Sequence, residues 1–203
     1  MKSLTRVLTV AAIFLATCGL ANAQKAITIQ IPQDQNVLEF VGQFNNTPTS
    51  SQQFGYLSNV QGLSPIFTGT PENEATASFT FVTNATTDRV ISDGPLKIIN
   101  RTGTTTIYLN NGPSDFTNPA SFSQGTSIQV SSYRQQVILN TLTNSFVTVH
   151  MNSITSTEPF MLNGVTYVLG KKGGSFRTNY SGQSNGPGLV PSGWFAGHAV
   201  GVK

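Results

Sequence analysis

The chain has 203 residues, and only 9% of them are charged: 11 Lys and Arg against 8 Asp and Glu, for a net charge of +3. Globular domains usually carry about a quarter charged residues, and here Lys171-Lys172 is the one adjacent basic pair. That leaves no patch able to neutralise several phosphates, so nucleic acid is excluded as a partner.

The N-terminus reads as an export signal. Lys2 and Arg6 form a basic head, residues 7–15 an apolar run, and Ala21-Asn22-Ala23 sets small residues before a cleavage point at Gln24. The run is shorter than the roughly twenty residues that span a bilayer, and no second one follows, so no transmembrane segment is expected. Leu15-Ala16-Thr17-Cys18 offers an alternative, lipoprotein anchoring through Cys18, although Thr17 stands where such signals carry a smaller residue. The expected layout is a signal peptide over 1–23 and a single all-β domain over 24–203, secreted or periplasmic. Cleavage removes Lys2 and Arg6, taking the net charge from +3 to +1, and also the only cysteine. The mature domain is therefore cysteine-free and depends on a packed core, which about 180 residues suffice to build.

Downstream, apolar residues recur with period two and nowhere sustain the 3.6-residue period of an amphipathic helix. Ile27, Ile29 and Ile31 alternate with Thr28 and Gln30. Leu38, Phe40 and Phe44 alternate with Glu39 and Gln43, and Ala75, Ala77, Phe79 and Phe81 with Thr76, Ser78 and Thr80. Each set predicts a strand with one buried face. Residues 47–74 carry no clear pattern.

Segments 96–101 and 104–109 flank Thr102-Gly103, which predicts a hairpin turning at the glycine. Residues 110–124 are again unclear, with a single helical turn conceivable over 114–116. A long pair follows over 127–140 and 146–154. Ile128 and Val130 share one parity while Tyr133, Val137 and Leu139 share the other, which requires a bulge near Ser131-Ser132 or a crossing between sheets. Asn163-Gly164, between 160–162 and 165–169, is the strongest hairpin signal in the chain, because both residues tolerate the left-handed region of a type I′ turn. Strands over 175–182 and 194–202, separated by a Gly-, Pro- and Ser-rich loop, complete the set. All ten prolines fall at strand ends or in connections. The predicted fold is an antiparallel β-barrel or β-sandwich of roughly nine to eleven strands.

No residues assemble into recognisable catalytic chemistry. Gly182-Gln183-Ser184-Asn185-Gly186 matches the G-x-S-x-G spelling of a nucleophile elbow, but Pro187-Gly188 forbids the helix that must follow the serine. His150 shares its parity with Thr148 and Asn152 and reads as a polar-face strand residue. His198 shares its parity with Trp194 and Val200 and is the histidine placed to project into a core or cavity. Eight acids and two histidines fall at no metal-binding spacing, so neither a metal nor another cofactor is expected. The leading expectation is an exported, non-catalytic β-protein with a structural, adhesive or binding role in the envelope or outside the cell, its partners other proteins or glycans and oligomerisation open to it. The alternatives are a barrel that holds a small apolar ligand, or a barrel-mouth hydrolase or isomerase. The candidate ligand-binding residues are His198, Trp194, Tyr133, Tyr167, Tyr180 and Glu39.

Overall fold

The computed structural model describes residues 25–29 and 36–202, and within them eleven strands and one short 3-10 helix. The leader, its cleavage point and Ile31 lie outside the described residues. Eight strands close an antiparallel barrel: β2 (Asn36–Asn46), β3 (Ser50–Val60), β4 (Phe79–Asp93), β5 (Leu96–Leu109), β6 (Thr126–Asn140), β7 (Ser145–Thr157), β10 (Ser175–Ser184) and β11 (Ser192–Val202). Each pairs with the next in this list and β11 pairs back onto β2, so the barrel is an up-and-down meander without a free edge. The fold is thus a barrel rather than a sandwich.

Register shifts punctuate the wall at Glu39/Phe40, Thr87/Arg89, Ile107/Tyr108, Val130/Ser131 and Ala199/Val200. Such bulges add the local bend and twist that closure needs. The fourth is the parity break expected near Ser131.

β1 (Ile27–Ile29), β8 (Pro159–Leu162) and β9 (Val165–Leu169) form a separate three-stranded sheet, with β1 parallel to β9. This sheet closes the barrel end that carries the long connections. Phe160 stands edge-on to Phe79 at 5.5 Å, Ile29 and Leu169 join the barrel's main core cluster, and Gln129 Nε2 donates to the Leu169 carbonyl at 2.9 Å. The expected Asn163-Gly164 turn joins β8 to β9, with φ of 51° and 79°. The opposite end carries only hairpins.

Two expectations are corrected. Gly103 makes no turn: β5 runs unbroken from Leu96 to Leu109, and the chain reverses at Gly94, where φ is +54°. The strand expected to start at Ala75 starts at Phe79, because residues 73–76 form a turn in which Asn73 O accepts from Thr76 N and Ala77 N. In the unassigned stretch 110–124 a 3-10 turn forms at Pro119–Ser123, opened by the proline. The unassigned stretch 47–74 contains a full barrel strand, β3. Its Gln53 faces the interior, while its Phe54 faces outward beneath Phe122 (5.4 Å) and Phe116 (6.1 Å) of the connection between β5 and β6. With both faces covered, β3 shows no clean alternation.

Candidate functional site: a polar belt inside the barrel

Strand β7 buries Phe146, Thr148, His150, Asn152 and Ile154 and leaves Val147, Val149 and Met151 exposed. The central part of its interior face is therefore the polar one. His150, expected on a wet face, is only 4% exposed, because it belongs to a layer of polar side chains crossing the barrel between two apolar layers.

Tyr180 on β10 is the hub of that layer. Its hydroxyl donates to Gln53 Oε1 on β3 (3.0 Å), accepts from Gln135 Nε2 on β6 (2.6 Å) and lies 3.0 Å from His150 Nε2 on β7. With the only hydroxyl proton given to Gln53, His150 carries its own proton on Nε2 and donates it. Burial, reinforced by the Arg101 charge, lowers the His150 pKa from 6.5 to about 3, so the ring is neutral. Burial likewise raises the Tyr180 pKa from 10.0 to about 12, against the pull of its hydrogen bonds, and raises that of Tyr133. A neutral imidazole and two un-ionised phenols thus form one buried layer of stacked and hydrogen-bonded rings.

Among the described residues Arg101 on β5 is the charged member of the interior, 6% exposed. Its Nε donates to Thr87 Oγ1 (3.3 Å) and its Nη2 to Asn46 Oδ1 (3.4 Å). Burial lowers its pKa from 12.5, yet a guanidinium stays charged in proteins. The polar layer divides the remaining space in two. Towards the capping sheet lies a cavity of about 50 Å³ among Leu38, Phe40, Leu57, Phe81, Phe176 and Phe195; towards the hairpins lies one of about 40 Å³ beside Arg101. Each has room for a few water molecules.

The six candidate residues fall into three places. Tyr133 and Tyr180 line the interior. Tyr167 sits in the capping sheet, tilted against Phe160 at 5.9 Å. His198, Glu39 and Trp194 face outward: the first two are register partners across β11 and β2, and Trp194 is 52% exposed. The expectation that His198 projects into the core is corrected by the glycine-rich inner phase of β11, where Gly193, Phe195, Gly197, Ala199 and Gly201 turn inward and leave the Trp194 and His198 phase outside. Ser184 closes β10 with its N–H donated to the Asn144 carbonyl (2.8 Å), and a loop rather than a helix follows it. Gln53, Gln135 and Arg101 were not singled out in the sequence. The one signal for them is that the two phases of β7 are equally regular, so the polar phase was as able to face inward as the apolar one.

The outer wall holds the other distinctive feature. A shallow groove of about 750 Å³ runs across it, lined by Val41, Leu96, Ile138, Val147, Trp194 and Ala196 together with uncharged polar residues. Among the described residues no cluster of three His, Cys, Asp or Glu could hold a metal, and no helix is long and apolar enough to cross a membrane.

Fold and site together define a closed eight-stranded meander barrel with a polar-belted interior, two small cavities beside the belt and a partly apolar outer wall. Compared with family models, curated proteins and solved structures, the chain matches none.

Proposed function

We propose that this is an exported, non-catalytic β-barrel that acts through its outer wall as an assembly module, with further copies of the same chain as the occupants of the groove. The observation that carries this reading is the exposure of large apolar side chains along the groove: Val147 is 54% exposed, Trp194 52% and Leu96 40%. Isolated apolar residues on a surface need no explanation, but a contiguous patch does. Val147 is flanked in register by Ile138 on β6 and Ser181 on β10, and the row continues through Ala196 to Val41. No charge interrupts that row, so two copies can meet without burying like charges, whereas a strongly charged partner finds nothing complementary.

Binding of a small apolar ligand within the barrel is the weaker reading. Ligand pockets usually measure about 300–1,000 Å³, against interior cavities of about 50 and 40 Å³. Export rests on the composition of residues 1–23.

The test is light scattering coupled to size exclusion on the chain starting at Gln24, over a concentration series, with Val147→Lys alongside. Assembly predicts a mass rising with concentration in the parent and a monomer in the variant. A strict monomer at high concentration, or an oligomer that Val147→Lys leaves intact, overturns the reading.

A further inference from the structure

We propose that the chamber beside Arg101 binds a small monovalent oxyanion of the formate and bicarbonate class, held by the guanidinium and by the Ser51 hydroxyl. The chamber is lined by Asn46, Ser51, Gln53, Arg101, Gln135, Thr148, Tyr180 and Ser184 with an apolar rim, and no carboxylate is among its walls. A buried cation is costly unless it is paired. Among the described residues Arg101 is hydrogen-bonded only to two neutral oxygens, both at long distance and using two of its five N–H donors. His150, the other basic group within the belt, is neutral and supplies no competing charge.

Three further atoms point to the same ligand, the third being Thr148 Oγ1, a buried hydroxyl of the chamber wall without a hydrogen-bond partner. Ser51 is 3% exposed and its Oγ has no hydrogen-bond partner, although it lines the chamber. Gln135 Oε1 is equally buried and without a partner. The two hydroxyls can donate to an anion; the amide oxygen must accept, which suits an oxyanion that brings an O–H of its own, as bicarbonate does, or one that enters with a water. A planar anion matches the guanidinium fork in geometry as well as charge. A cavity of about 40 Å³ suits a ligand of three or four heavy atoms rather than a larger metabolite. Asn46 and Ser184 are only half-buried and stand on the hairpin side, which gives the chamber its way in. None of this depends on the outer wall.

Thermal unfolding of the chain starting at Gln24, in sodium formate and in sodium gluconate at matched ionic strength, separates the site from general salt effects, since gluconate is too large to enter. Formate is expected to raise the midpoint by roughly a few degrees along a saturating curve, and gluconate is not. Arg101→Met should abolish the saturating component. Ser51→Ala, which removes one small hydroxyl, should raise the half-saturating formate concentration about threefold or more. Equal responses to the two salts, or a formate response that survives Arg101→Met, overturn the proposal. Should Arg101→Met fail to fold, Ser51→Ala decides alone: an unchanged half-saturating concentration also overturns it.

Discussion

Tyr133 lies flat on His150, with ring centroids 4.4 Å apart and planes 11° from parallel, so the imidazole is held from its face by one tyrosine and from its edge by another. The two phenols nevertheless stand in opposite hydrogen-bonding situations. Tyr180 OH joins Gln53, Gln135 and His150, whereas Tyr133 OH is buried without a partner. Tyr180→Phe strands three buried polar groups and should cost at least about 2 kcal/mol in urea-induced unfolding; Tyr133→Phe removes an unsatisfied hydroxyl and should change stability by less than about 1 kcal/mol, in either direction. Equal costs for the two would mean that the hub does not organise the layer.

Neutral burial of His150 makes stability fall with acid. Its pKa is about 3 when folded, against 6.5 for the free side chain. Between those values the unfolded chain holds a proton that the native state refuses, so unfolding becomes easier as pH drops from 6.5. The slope approaches about 1.4 kcal/mol per pH unit. The contribution is intact above pH 6.5, and about 2 kcal/mol of it should be gone at pH 5, still above the range where carboxylates titrate. Denaturant titrations at pH 5, 6 and 7 should show this loss in the parent chain and a much flatter profile in His150→Gln.

How far these features could be read in advance depended on whether a residue's local pattern had one physical solution. Asn163-Gly164 had one, since two adjacent residues at positive φ define the turn themselves. The parity change between Val130 and Tyr133 had one as well, because no regular strand buries both phases. β7 had two: Val147, Val149 and Met151 alternate with Thr148, His150 and Asn152, and the rule that apolar residues face inward fails where a barrel carries a polar belt. β3 had none, since Gln53 and Phe54 are both buried, one by the barrel and one by the Pro119–Ser123 connection. The belt itself joins residues up to 127 positions apart, and no local spacing encodes a contact at that separation.

Gly103 illustrates a correct residue read for the wrong reason. Glycine stands there for close approach rather than for a turn: a Cβ would collide with the Asn84 carbonyl and come within 2.8 Å of the Tyr133 hydroxyl. Backbone cannot yield as a flexible side chain can, so Gly103→Ala should destabilise by about 1–3 kcal/mol, the usual cost of overpacking. A hairpin glycine would instead lose only its turn preference. Combining Gly103→Ala with Tyr133→Phe should recover part of the loss, because it removes one of three close contacts, the third being the Ala85 Cα at 2.9 Å. Additive effects in that pair would place the strain wholly on the Asn84–Ala85 backbone.

Trp194 is the only tryptophan, and it reports on how the connection between β5 and β6 clamps the outer wall. Phe116 meets it edge-on at 4.6 Å while also packing on Phe122 at 4.9 Å and on Phe54. One ring therefore bridges the apolar cover of β3 to the exposed indole of β11, and the clamp is pinned beneath by Thr80 Oγ1, which donates to the Phe122 carbonyl at 2.8 Å. Phe116→Ala removes an aromatic contact worth about 0.5–1.5 kcal/mol beyond the area it buries. The expected result is a red shift of the Trp194 emission and a higher quenching constant with acrylamide, together with a lower unfolding midpoint. Thr80→Val should lower the midpoint as well, since it leaves the Phe122 carbonyl without its donor, but it should move the emission less because Phe116 itself remains. An emission spectrum indifferent to Phe116→Ala would mean that the clamp does not reach the β11 face.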